Sequence, residues 1–515
     1  MLSLSPTPEL PALRHPWSVC FGQGRVAELL RTDCVEHLAR AKHALGFQYL
    51  RFHGLFHDEM NIVSRRADGS LCFQWALLDR AFDTLLDLGI RPFVELNATP
   101  LALASGDQTI FQWKLNVTPP RKMDEWGQLV EAFARHCVTR WGAEEVRKWY
   151  FEVWNEPNLQ GFWSGTREEY FELYRQSALA VKTVDPAFRI GGPATAQARW
   201  VPELIAYCTD NNVPLDFVST HSYQQDELCF YPGRVDSPHA PGEYLLDQFK
   251  RVRAEVAASP RPALEIHWTE WNSLSASPEG KVAWTESTST DELYAGSFVL
   301  RHCAGADELC DSMSWWVISD VFGEHGMSPL PFSCAYGLFT VHGIPKATFH
   351  VFKWLARMRD SRYAVNGLDC DPRKGLLATR DANGVLRILI WYHPPREAAE
   401  GEWADTLQFV LDHPALLTRA ALRAGQGSAY ETWMSWGAPP NLTPSQQEAL
   451  EALAAPESSG EMIEPGMHSE AFRLLPYEVL YLEVAPQEAS AHSRGIFKEQ
   501  APGILEAQLA AKTSL

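Results

Sequence analysis

At 515 residues the chain is too long for one small core, so a large domain with at least one smaller companion is expected. Hydrophobic residues at 46% and charged residues at 21% fit an ordinary soluble globular protein. A formal net charge of −19 argues against nucleic acid or an anionic membrane as partner.

The first segment, 1–16, reads MLSLSPTPELPALRHP, with prolines and a glutamate where a signal peptide needs an apolar core. A cytoplasmic location is the expectation, and no run approaches the length of a membrane span. ELPALRHPW precedes the first strong strand signal and has nothing there to pair with, so it is expected to join a small β-domain elsewhere in the chain. The 10 cysteines show neither a CxxC pair nor Cys/His ligand spacing. Reduced thiols are expected, with no metal and no cofactor.

Short apolar runs then recur with helical patterns between them. They begin at Ser18 (SVCFGQG), Gln48 (QYLRFHG), Pro92 (PFVELN), Trp149 (WYFEVWNEP), Arg189 (RIGGPA), Asp216 (DFVSTHSY), Ala263 (ALEIHWTEW) and Ser312 (SMSWWVIS). Between them, stretches such as LLDRAFDTLLDLG (77–89) carry apolar residues at helical spacing and end in a glycine suited to a C-cap. Strands alternating with helices imply a parallel sheet, and this repeat over residues 17–355 implies a (β/α)8 TIM barrel.

The polar residues of these runs gather at their C-terminal ends: His53, Asn97, Asn155, Glu156, His221, Tyr223, Glu270 and Asp320. That edge of a barrel is where the βα loops converge and active sites form, so the pattern favours an enzyme over a scaffold. Glycoside hydrolysis needs two carboxylates flanking one bond. Glu156, after the fourth run, and Glu270, ending the seventh, would face each other across the barrel mouth. Either acid alone reads as well as a strand cap; the matched pair is the specific signal. Glu152 and Glu95 read as buried partners for Arg51, and His267 as a packed core histidine. Among the 19 tryptophans, Trp113, Trp163, Trp315 and Trp316 could stack on sugar faces, and Trp316 and Phe322 are expected to line the site.

After Trp354 the pattern changes. LLATR (376–380) and VLRILIWYH (385–393) flank Asp-Ala-Asn-Gly as a β-hairpin, and FRLLPYEVLYLEV (472–484) alternates like another strand. Thr443-Pro444-Ser445-Gln446 resembles a capping box that opens a short helix through Leu453. Residues 356–486 are therefore expected to form a β-sandwich carrying a helical insertion, and 487–515 a tail that docks as a helix.

Taken together, WNEPN and TEWN on the fourth and seventh runs resemble the barrel glycosidases that carry acid and nucleophile on those strands. CFGQGRVAELLR, YLRFHGLFHDEM, RPFVELNATP, NVTPPRKMDEW, FVSTHSY, HWTEWNS and WWVISDVF narrow the resemblance to glycoside hydrolase family 39, the β-xylosidases and α-L-iduronidases. GLFTVHGIPKATFHVFKWL (337–355) and AYETWMSWGAPPNLTPSQQ extend it, so that it spans roughly residues 17–485. It implies a retaining exo-glycosidase, most like a bacterial β-xylosidase acting on a small oligosaccharide, with Glu156 as acid/base and Glu270 as nucleophile. It further implies that Asn155 holds the sugar 2-hydroxyl, that His53 and Glu324 bind sugar hydroxyls, and that Tyr223 donates to Glu270 with His221 beside it. Gly323-Glu324 stands where relatives tend to have two adjacent acids, and SYQQD lacks a proline expected after the tyrosine. An α-L-iduronidase or β-glucosidase of the same family is the alternative, and a non-catalytic carbohydrate-binding barrel the rival of another class.

Overall fold

The computed structural model describes residues 1–487 except 231–234, 241, 274–289, 325, 327–329, 360 and 397–398. The tail expected to dock as a helix lies outside the described residues beyond Gln487. The first two thirds of the chain closes into an eight-stranded parallel barrel. Its strands are β1 (Cys20–Arg25), β2 (Tyr49–His53), β3 (Arg91–Leu96), β4 (Tyr150–Val153), β5 (Arg189–Thr195), β6 (Phe217–Tyr223), β7 (Glu265–Asn272) and β8 (Ser312–Trp315). Each corresponds to one of the apolar runs. The helix Ala76–Asp87 shows why they alternate with helices: Leu78, Ala81, Phe82 and Leu85 recur at helical spacing and bury against the sheet.

Side chains on a strand point alternately in and out, so residues two apart stack along the barrel interior. At the bottom, Cys20, Tyr49, Phe93, Tyr150 and Phe217 form an apolar plug. Two residues further up, Arg51, Glu95, Glu152 and Ser219 form a buried polar layer. Two further still, His53, Asn97 and His221 reach the mouth. Two glycines make this stacking possible. A Cβ on Gly191 would meet the Phe217 carbonyl at 2.3 Å, and one on Gly22 would meet the Trp316 ring at 2.4 Å.

The rest of the chain forms two facing sheets. The six-stranded sheet contains Lys374–Arg380, Leu386–Tyr392, Val479–Pro486 and Ala415–Leu422, and the four-stranded one contains Trp403–Leu411 and Gly466–Leu474. Leu407, Phe409 and Leu474 of one sheet share a core with Ile388, Leu417 and Leu482 of the other, which makes a sandwich. The capping box at Thr443 and Gln446 opens the inserted helix Pro444–Ala454. A second short helix, Tyr430–Ser435, joins it, and Tyr430, Trp433 and Leu450 pack on Phe332 and Ile344 after β8.

Two expectations change here. FRLLPYEVLYLEV is not one strand. It breaks at Pro476, which has no N–H for a ladder, and Tyr477 turns the chain at φ 70. Its halves therefore enter different sheets, Gly466–Leu474 and Val479–Pro486. The segment 1–16 is shared between domains. Leu2–Leu4 pairs with Val365–Asn366 and Trp403–Leu411, and Leu10 bridges to Arg362. From there the chain turns to the barrel bottom, where Asp307 accepts the Arg14 and His15 N–H groups. Leu13 and Trp17 are buried in the barrel core.

A buried ionic knot ties the long segment after β8. Lys346 Nζ lies 2.5 Å from Asp291 and 2.8 Å from Asp320 and donates to the Ala335 carbonyl at 2.7 Å. Asp320 also accepts the Gly337 N–H, and Asp291 the Cys334 N–H, both at 2.7 Å. Lys346→Ala would leave two buried carboxylates facing each other. A loss of about 3–5 kcal/mol of unfolding free energy is expected by chemical denaturation; a loss below about 1 kcal/mol would remove the knot from the account of stability.

Candidate active site

The strand ends converge on a cavity of about 680 Å³ whose lining includes His53, Asn155, Glu156, Tyr223, Glu270 and Trp316. Glu156 follows β4 in a left-handed conformation, φ 48, and its backbone N–H donates to the Ala194 carbonyl at 2.8 Å. The turn therefore does more than cap a strand: it aims a carboxyl across the mouth toward Glu270. One oxygen of Glu156, one of Glu270 and a ring nitrogen of His221 lie within 4.8 Å of one another. These atoms already have protein partners, described next.

The two carboxyls have unequal surroundings. Glu270 accepts an Arg51 Nη1–H at 2.6 Å and the Tyr223 hydroxyl at 2.5 Å, one on each oxygen. Both are strong, charge-assisted contacts to an anion. Burial, with Glu270 and Glu156 nearby, pushes the Tyr223 phenol well above its ordinary range, so it remains a donor. Glu156 meets His221 Nδ1 at 3.0 Å and no side-chain cation among the described residues. Burial pushes its pKa well above the ordinary carboxyl range, and the negative charges of Glu270 and Asp226 add to this against Arg51 and His53.

Arg51 is the hub beneath. Fully buried, it donates to Glu152 at 2.6 Å and Asn155 at 2.8 Å besides Glu270, and lies 2.6 Å from Glu95. His53 sits above it, its Nδ1 2.8 Å from Glu95. Burial alone would lower the His53 imidazole, but Glu95 outweighs it, aided by Glu324, and pushes it up to about 10. Its Nε2 then points between Glu270 and Glu324, 3.6 Å from each. Burial raises Glu324 to about 7, with His53 opposing. The Gln112 N–H, from a hairpin after β3, fixes the Glu324 carbonyl at 2.7 Å.

The remaining expected residues divide. Trp316 lines the cavity 4.6 Å from the His53 ring. Phe322 does not line it as expected: it stands edge-on behind Trp316 and against Tyr336, and Tyr336 takes the lining position. His221, expected beside Tyr223, is turned to Glu156, with Glu270 further off at 3.8 Å. Trp163 and Trp315 are buried in the core, and Trp113 lies behind Phe111, stacked at 5.3 Å. His267 is a packed interior residue bonded to Ser312 at 2.7 Å. Sequence reasoning missed Phe111, Phe162, Gln197 and Asp226 in the lining. Gln197 carried no signal, but Asp226 sits three residues after Tyr223, where its carboxylate accepts the Tyr223 N–H at 2.8 Å.

The family model described as glycosyl hydrolases family 39 matches residues 2–463. The chain belongs to this family. It is therefore a glycoside hydrolase, and its site is read as a family 39 site. It is 35% identical to a β-xylosidase of Caldicellulosiruptor saccharolyticus over 88% of this chain and 90% of that one. With a β-xylosidase of Geobacillus stearothermophilus it shares 36% identity over 85% of each chain. A solved family 39 β-xylosidase from Caulobacter crescentus superposes with a TM-score of 0.80 at 31% identity, covering 94% of this chain and 99% of that one. Among the described residues of this family 39 chain, no helix is long and apolar enough to cross a membrane.

Proposed function

We propose that the protein is a retaining exo-glycosidase that hydrolyses β-D-xylosides, xylo-oligosaccharides among them, through a covalent glycosyl-enzyme. The observation that carries this reading is the unequal setting of two facing carboxyls. Glu270, held by Arg51 and Tyr223, is kept as an anion fit to attack the anomeric carbon. Glu156, buried and without a cation, keeps the proton a leaving oxygen needs. Their oxygens come within 4.8 Å, which supports retention, since retaining pairs stand about 5–5.5 Å apart and inverting pairs about 6.5–9.5 Å.

Asn155 spends its carbonyl on Arg51, which leaves its amide N–H groups for the 2-hydroxyl of the sugar. His53 and Glu324 leave a gap in which a further hydroxyl can bridge donor and acceptor. The hairpin bonded to Glu324 lines the cavity through Ile110, Phe111 and Gln112. The β-xylosidase relatives support the xyloside reading. A uronic acid is disfavoured on charge: the described lining carries Glu156, Asp226, Glu270 and Glu324 but no lysine or arginine.

Release of 4-nitrophenol from β-xyloside, β-glucoside, α-arabinoside and iduronide substrates tests the glycone. The β-xyloside is expected to lead in kcat/KM by about tenfold or more, with β-xylose as the first anomer seen by NMR. α-Xylose as first product would mean inversion, and a faster iduronide would mean the alternative glycone.

A further inference from the structure

Below the mouth, a chain of hydrogen bonds runs away from Glu156 and fixes where its proton sits. Thr269 Oγ1 donates to Glu152 Oε1 at 2.7 Å, while Glu152 Oε2 accepts Arg51 Nε at 2.6 Å. A hydroxyl has one proton, and Thr269 gives it to Glu152, so it meets His221 Nε2, 3.1 Å away, only as an acceptor. Nε2 is then the protonated ring nitrogen. Burial drives the His221 imidazole well below its ordinary pKa, and the charges of Arg51 and His53 reinforce this, so the ring is neutral. A neutral imidazole has one N–H. Nδ1 therefore carries a lone pair, and it faces Glu156 Oε1 at 3.0 Å. The proton in that contact can come only from Glu156.

We propose that Thr269, acting through His221, holds the acid proton on Glu156, and that both are positioning residues for the acid step. The proposal rests on reading Glu156 as the acid. It fits both halves of a double displacement: a lone pair facing Glu156 disfavours its anion, so the group arrives protonated and later recaptures a proton from water. The other groups facing this pair are Glu270 on β7, Arg51 and His53 on β2, Glu152 on β4 and Asp226 beyond β6. None of them is substituted in the test below, although Thr269→Val also takes a donor from Glu152, which keeps Arg51.

Thr269→Val removes the acceptor. The His221 N–H then gains by moving to Nδ1, where it donates to Glu156 and stabilises the anion. The basic limb of kcat/KM for xylobiose should fall by about one pH unit. Thr269→Ser keeps the hydroxyl and should keep the wild-type limb. Nitrogen-15 NMR of the wild-type enzyme reads the tautomer directly, and a proton on Nδ1 there would overturn the proposal whether or not the valine variant folds. So would a limb that stays or rises in Thr269→Val, or one that moves equally in both variants. Glu156→Ala separates the two ideas: a basic limb that survives it overturns the acid reading, whereas one lost there but unmoved in Thr269→Val overturns the relay alone.

Discussion

Glu270→Ala is expected to lower turnover of every glycoside by on the order of 10⁴-fold or more, because no glycosyl-enzyme can form. The fold should survive. Arg51 loses one of its carboxylate partners but keeps Glu152 and Glu95, and Tyr223 can turn to water entering the vacated space. A thermal midpoint close to wild type separates a chemical defect from unfolding. The vacancy lies on the α face of a β-glycoside, opposite the leaving group. Azide supplied to the variant with 4-nitrophenyl β-xyloside should therefore attack from that face and give α-xylosyl azide by single inversion. A variant that retains more than about a hundredth of wild-type kcat on all substrates would show that Glu270 is not the nucleophile.

The barrel and its acid pair were legible because both rest on short-range rules. Apolar runs alternating with amphipathic helices give strand order without long-range knowledge, and a carboxylate at the end of a run is at the mouth once the barrel closes. Glu156, Glu270, Asn155 and Tyr223 needed only that. The pairing of Arg51 with Glu152 was also readable, as opposite charges in a layer with no water. Its reach to Glu270 and Asn155 was not, because it depends on β2, β4 and β7 bringing their inward residues together around one guanidinium.

Where loops decide, the sequence was silent or misleading. Phe322 has the composition of a lining residue, yet the chain beyond β8 turns Trp316 inward and puts Phe322 behind it. His221 and Tyr223 both face inward from β6, but the register shift beside them falls on β7, where the extra residue Thr269 bonds His221, and only Tyr223 meets Glu270 closely. FRLLPYEVLYLEV opens with strand-like alternation and runs on as a mostly apolar stretch, and only Pro476 marks the break. Alternation describes a strand's faces and is blind to which sheet it enters.

Glu156→Ala is expected to divide substrates by leaving group. Its carboxyl keeps its proton because burial, then Glu270, then Asp226 disfavour the anion. Rising pH through that raised pKa removes the proton and stops catalysis, so Glu156 governs the basic limb. Burial pushes Asp226 up to about 7, and once ionised its charge helps hold the Glu156 proton to higher pH. Without Glu156, xylobiose must expel an unprotonated sugar alkoxide, and kcat/KM should fall about 10²–10⁴-fold. 4-Nitrophenyl xyloside needs no proton to leave, so its kcat/KM should drop far less and lose its basic limb. Deglycosylation lacks its base in both cases, and the glycosyl-enzyme should accumulate as a burst of 4-nitrophenol. Azide needs no base; entering from the β face of the α-linked intermediate, it should restore turnover and yield β-xylosyl azide, the opposite anomer to that from Glu270→Ala. Equal losses on both substrates, with no response to azide, would reduce Asn155-Glu156-Pro157 to a strand cap.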